Sequence, residues 1–213
     1  MRLYLASTSP ARLQLLRQAG VEPITLSPGV DEEALVEEIE AVRGPLAAHE
    51  LVQVLAQAKA EAVLDARPGG QPIDGLVLGG DSAFLLGERI YGKPHRPEVA
   101  RERWLAQNGE TGALWSGHWL IDHREGRVRG AAGRPAVASV SFAHLDEAEI
   151  DAYIASGEPL QVAGAFTVDS LGGPFIRRVE GDPSTVVGLS LSTLRELVRE
   201  LGVAWPDLWA AAR

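Results

Sequence analysis

Only two of the 20 basic residues in this sequence are lysines, Lys59 and Lys93. A chain that otherwise uses arginine keeps lysine either by compositional accident or where a compact point charge is required. Lys59 lies four residues after Leu55 and seven after Val52, so it shares or borders the apolar face of its helix. An inward lysine needs an anion or it loses its charge. The plain alternative is a stem that packs while the ammonium reaches outward to water. Lys93, in Gly92-Lys93-Pro94, leaves a hairpin, and no glycine-rich Walker spacing precedes it.

Two acidic positions could answer those cations. Gly79-Gly80-Asp81-Ser82 follows an apolar strand, where a carboxylate freed by adjacent glycines can bind a hard cation through oxygen; glycine-aspartate is equally a routine turn signal. Asp31-Glu32 follows a turn and offers a second carboxylate, or simply a solvated acidic loop. Together, Asp81 and Glu32 would form the oxygen-rich, cysteine-free set that magnesium or manganese prefers. A third feature is Ser7-Thr8-Ser9-Pro10-Ala11-Arg12, with Ser9 as helix cap and Pro10 at the first helical position. Arg12 then sits in the first turn, where free amides, hydroxyls and the helix dipole suit a phosphate. The same segment also reads as an ordinary capped helix with a solvent-facing arginine. The five histidines show no paired ligand spacing and receive no role.

The elements that must position these residues alternate in type. The pattern predicts strands at 3–6, 21–27 and 76–78, a hairpin from 83–86 and 89–91, long strands at 113–123 and 128–142, and strands at 165–168 and 175–179. Helices are expected at 10–19, 45–66, 97–107, 146–156 and 184–201, with loop plus a short solvated helix across 31–40. Asp146 with Glu149 three residues on is a capping-box signature, and Asp182-Pro183-Ser184 reads as a further helix start. The mixture gives an α/β or α+β class without internal repeats.

At 213 residues and 46% hydrophobic, the chain fits one domain, or two small lobes on one sheet system. A net charge of -9 argues against a nucleic-acid polymer as partner, yet leaves a small phosphorylated ligand open. The absence of cysteine excludes disulfides, zinc-thiolate sites and thiol nucleophiles. Without a signal-peptide apolar region or a run of spanning length, the expectation is a soluble cytoplasmic protein.

Taken in order, nine segments resemble the Maf family of nucleoside triphosphate pyrophosphatases: Leu5-Ala6-Ser7-Thr8-Ser9-Pro10-Ala11-Arg12, Val30-Asp31-Glu32, Leu55-Ala56-Gln57-Ala58-Lys59-Ala60, Gly79-Gly80-Asp81-Ser82, Gly92-Lys93-Pro94, Glu149-Ile150-Asp151-Ala152-Tyr153, Gly157-Glu158-Pro159, Ala163-Gly164-Ala165-Phe166 and Val187-Gly188-Leu189. The resemblance implies a single Maf-like domain over 1–213. Its fold would be Maf/ITPase-like α/β, a central mixed sheet with flanking helices and a cleft between two lobes, often as a homodimer. It also implies hydrolysis of a nucleoside triphosphate to monophosphate and pyrophosphate with a divalent metal, magnesium or manganese. The family's catalytic aspartate falls on Asp81, its motif glutamate on Glu32, and its two lysines on Lys59 and Lys93. Ser7 and Arg12 fall on the triphosphate.

Three positions depart from the better-known subgroups. Ala11 stands where the uridine- and thymidine-nucleotide type has a second arginine, Ser82 where threonine is usual, and Asp169 where that type has glutamine. The 7-methyl-GTP type carries tryptophan, glutamine and glutamate there, so neither pattern is matched. A carboxylate only accepts hydrogen bonds, so Asp169 suits guanine N–H groups or an exocyclic amine better than the imide edge of uracil or thymine. A nucleotide-binding regulatory module with little turnover, or a pyrophosphatase for another phosphorylated metabolite, remain the alternatives.

Overall fold

The first strand, β1 (Leu3–Ala6), is a run of four fully buried residues, as expected for a strand covered on both faces. It stops at the Ser-Thr-Ser-Pro turn, and α1 (Pro10–Gln18) starts with Pro10 in its first turn and the Ser9 side chain accepting from the Arg12 N–H. In this computed structural model, which describes residues 1–210, the succeeding elements are β2 (Ile24–Leu26), α2 (Glu32–Arg43), α3 (Ala48–Glu61), β3 (Gly75–Leu86), β4 (Arg89–Tyr91) and α4 (Pro97–Gln107). They continue with β5 (Thr111–Arg124), β6 (Arg127–Phe142), α5 (Glu147–Ala155), β7 (Ile176–Glu180), α6 (Pro183–Val187) and α7 (Leu191–Glu200).

The strands form one mixed sheet in the order β2-β1-β3-β5-β6-β7, with β4 paired to β3. β1 is parallel to both β2 and β3, while β3–β4 and β6–β7 are antiparallel. The turn between β5 and β6 has Glu125 and Gly126 both at positive φ, 58° and 71°, the geometry that matches the twist of a two-residue hairpin.

The chain divides into two compact units. Among the described residues, the first contains Met1–Asp81, Ser116–Ala136 and 188–210. One core cluster in this unit joins Tyr4 and Ala6 of β1, Val77 of β3, Ile121 of β5 and Ala60 of α3. The second contains Ser82–Trp115 and Val137–Val187. Its core is aromatic: Phe84, Trp104, Phe142, Tyr153, Phe166 and Phe175 meet edge to face, with centroids 5.0–5.9 Å apart. Each such pair adds about 0.5–1.5 kcal/mol beyond its buried area. The Trp104 indole N–H donates to the Ala165 carbonyl at 2.7 Å, holding a non-glycine residue at φ 62°.

Four sequence expectations need revision. The acidic stretch is a full 12-residue helix, α2, capped by Asp31. No strand forms at 165–168: a 3-10 turn over Ala163–Ala165, with Gly164 and Ala165 both at positive φ, leads into irregular chain. The expected helix over 184–201 is two helices, α6 and α7, separated at Gly188, whose φ of 117° no helix accommodates. β3 does not end before Asp81 but runs through it to Leu86.

Candidate functional site

Within the first unit, the residues singled out by the sequence form one charged cluster. Lys59 projects from α3 and is 7% exposed. Its ammonium lies 2.6 Å from Asp81 Oδ1 and 2.7 Å from Glu32 Oε1. The lysine therefore points inward and finds two anions, as its position on the apolar face requires. Asp31 and Glu32 separate in role: Asp31 Oδ1 accepts the Ala34 N–H at 3.1 Å as the cap of α2, while Glu32, in the first turn, reaches Lys59.

Asp81 sits inside β3, so its glycines do not punctuate a strand end. They make space. A Cβ on Gly79 would stand 2.0 Å from the Ala56 carbonyl oxygen and 2.8 Å from the Ala60 nitrogen. On Gly80 it would meet Arg12 Nε at 3.3 Å. A third close approach, at Gly117 of β5, would bring a Cβ to 2.1 Å from the Val52 carbonyl. Helix α3 thus lies against the sheet at a distance only glycine permits, which lets Lys59 meet Asp81.

Arg12 is not the solvent-facing residue that a plain capped helix would present: it is 8% exposed. Its Nε donates to the Gly188 carbonyl at 2.8 Å and its Nη1 to Ser7 Oγ at 3.1 Å. Ser7, itself buried, also accepts the Ser9 N–H at 3.2 Å. Burial lowers the pKa of the Arg12 guanidinium, opposed by the negative charges of Asp81 and Glu32. Burial raises that of Asp81, against the attraction of Lys59 and Arg12 and together with repulsion from Glu32. Asp81 is thereby a carboxylate of raised proton affinity among cations.

The remaining candidates, Ala11 apart, belong to the second unit. Ser82 follows Asp81 on β3; Lys93 is exposed beyond β4; Asp169 is exposed in the loop before β7. That loop hangs on a residue to which sequence reasoning gave no role. Glu158 accepts hydrogen bonds from Tyr153 Oη at 2.9 Å, Thr167 Oγ1 at 2.5 Å, and the N–H groups of Leu171 at 3.1 Å and Gly172 at 3.0 Å. Burial works against its charge, yet donors from Ser170, Thr167, Leu171 and Tyr153 outweigh it and bring its pKa down to about 2. Ala11 is half-buried in α1 beside Arg12. Among the described residues, no group of three or more acidic or histidine side chains could hold a metal ion.

The fold is an open mixed α/β sheet whose first strand-turn-helix carries a buried arginine, with a lysine shared by two carboxylates in the same unit. The Maf-like protein family profile matches residues 2–201. The chain is 68% identical over 212 residues to the nucleoside triphosphate pyrophosphatase of Leifsonia xyli subsp. xyli, covering all of this chain and 98% of that protein. It is 46% identical over 210 residues to the protein of the same name from Saccharopolyspora erythraea, covering 98% and 97%. A Rhodococcus opacus protein, also named nucleoside triphosphate pyrophosphatase, is 45% identical over 208 residues, covering 98% and 96%. The chain belongs to the Maf family.

Proposed function

We propose that this chain is a nucleoside triphosphate pyrophosphatase in which Asp81, Glu32, Lys59 and Arg12 carry the chemistry. Water attacks the α-phosphorus, the bond to the β-phosphate oxygen breaks, and the products are a nucleoside monophosphate and pyrophosphate. The observation that carries this reading is the Lys59–Asp81–Glu32 ion cluster alongside buried Arg12.

Two carboxylates without further protein ligands fit magnesium or manganese, which keep several waters and take one or two carboxylates plus substrate phosphates. Asp81 and Glu32 would hold the ion, which when bound supplies charge compensation for the triphosphate and the leaving group. Asp81 accepts the proton of the attacking water, a task helped by burial raising its proton affinity. Lys59 neutralises phosphate charge. Arg12 and the Ser7 hydroxyl, with the first amides of α1, receive phosphate oxygens at a helix N-terminus. In this reading Lys93, Ser82 and Asp169 also serve the substrate, and the protein works in the cytoplasm as a homodimer. No described helix is long and apolar enough to cross a membrane.

The test is a pyrophosphate-release screen over standard and modified nucleoside triphosphates with magnesium or manganese. Turnover of a few substrates is expected, falling about 10²–10⁴-fold in Asp81→Asn. No release from any triphosphate by folded protein would favour a binding module, or another phosphorylated metabolite. In the same screen Asp169→Gln should raise the relative rate on uracil and thymine nucleotides. Identical base profiles for both proteins would remove Asp169 from substrate choice.

A further inference from the structure

Histidine 118 has no part in the chemistry above, yet it is fully buried on β5 and both ring nitrogens are engaged. Nε2 accepts the Ser190 backbone N–H at 2.8 Å, so it carries no proton. The proton then lies on Nδ1, which faces the Arg134 carbonyl at 3.2 Å. The backbone carbonyl of His118 accepts from Gln53 Nε2 of α3 at 2.9 Å.

Ser190 caps α7, its Oγ accepting the Thr193 N–H at 3.1 Å, and two residues earlier the Gly188 carbonyl accepts Arg12 Nε. This three-residue segment breaks the helix between α6 and α7, and Gly188 holds a φ open only to glycine. The break thus turns one carbonyl toward Arg12 while the next amide but one is fixed by an imidazole.

We infer that His118 is a positioning residue for the triphosphate site: it pins the Gly188–Ser190 backbone so that Arg12 is held in a single orientation before substrate arrives. The inference rests on the reading of Arg12 as a phosphate contact. Losing the pin leaves Arg12 charged and still bonded to Ser7, but its Gly188 acceptor is no longer fixed, so the substrate must order that side of the guanidinium on binding.

Glutamine and asparagine separate this role from simple packing. Glutamine places its amide oxygen near the position of Nε2 and can still accept from Ser190; asparagine is too short to reach it. His118→Asn should raise KM for the triphosphate and Ki for tripolyphosphate about tenfold with kcat changed less, whereas His118→Gln stays within about threefold. In an Arg12→Ala background, His118→Asn should add less than about twofold, because the two act on one interaction. NMR should show the Arg12 Nε–H signal, slow to exchange in the parent and in His118→Gln, exchanging faster in His118→Asn. Equal effects of asparagine and glutamine, an additive double substitution, or an unchanged Arg12 Nε–H signal would each overturn the proposal. Unchanged KM and Ki in Arg12→Ala alone would remove the phosphate role of Arg12, and the inference with it.

Discussion

Asp81 in the first unit and Glu158 in the second are acidic side chains drawn out of water, and their proton affinities move in opposite directions. For Asp81, burial prevails over Lys59 and Arg12, partly because Glu32 competes for the same ammonium and adds its own repulsion. For Glu158, burial is overcome by hydroxyls and backbone amides that converge on its two oxygens. Fixed neutral donors stabilise a carboxylate without bringing a second anion with them. A shared cation in a dry setting leaves the carboxylate ready to take a proton or another cation. The neutral donors around Glu158 suit holding a loop, the shared cation beside Asp81 suits chemistry, and the same functional group serves both because its surroundings differ.

The sharpest way to test that contrast is to remove the shared cation. Lys59→Met should leave Asp81 and Glu32 with Arg12 as the nearby positive charge and lower turnover about 10²–10³-fold. Stability without divalent cations should fall by roughly 2–3 kcal/mol, below the full cost of breaking a buried pair because Glu32 is half exposed. Urea unfolding and pyrophosphate release on the same preparations measure both. A variant that kept more than a tenth of its turnover would show that the cluster is structural.

Much of this cluster was legible before any coordinates, because charge on an apolar helix face demands a partner. Lys59 required an anion, Ser9 and Pro10 marked the start of α1, and the Asp146–Glu149 capping box and the β3–β4 hairpin lie where the pattern placed them. Other features depended on contacts that local pattern does not encode. The glycines before Asp81 carry the same letters whether they turn the chain or admit a helix backbone, and only the approach of α3 decides. Helix α2 was underestimated because an acidic run resembles solvated loop, although Asp31 was a readable cap. The break at Gly188 hid within an unbroken apolar rhythm; Ser190, a good cap two residues on, was the available signal. Histidine 118 bonds a backbone amide 72 residues away, and ligand-spacing rules do not look for that. Glu158 lay within a matched segment, but apart from Tyr153 its donors lie on a loop up to 14 residues onward.

A smaller effect tests the other half of the contrast. Glu158→Gln keeps the size but removes the charge and turns an N–H₂ group toward donors, so stability near neutral pH should fall by about 1.5–3 kcal/mol. The dependence on pH fixes the sign. A folded-state pKa of about 2, below the ordinary carboxylate value, means that Glu158 stabilises the fold fully above the unfolded value and loses this contribution as pH falls toward 2. The gap between parent and Glu158→Gln should therefore narrow from about pH 4.5 downward. Asp81 must act in reverse: its pKa is raised, so its contribution is fully present below the unfolded value and lost as pH rises through the folded one. Relative to Asp81→Asn, the metal-free parent should lose stability as pH rises, no more steeply than about 1.4 kcal/mol per pH unit for one group. Unfolding free energies of the three proteins, measured from pH 2 to 7 without divalent cations, would settle the matter. Two difference curves sloping in opposite senses are expected. Curves sloping together would mean that the two carboxylates share one kind of environment, and that the distinction between a loop anchor and a reactive group does not lie in their proton affinities.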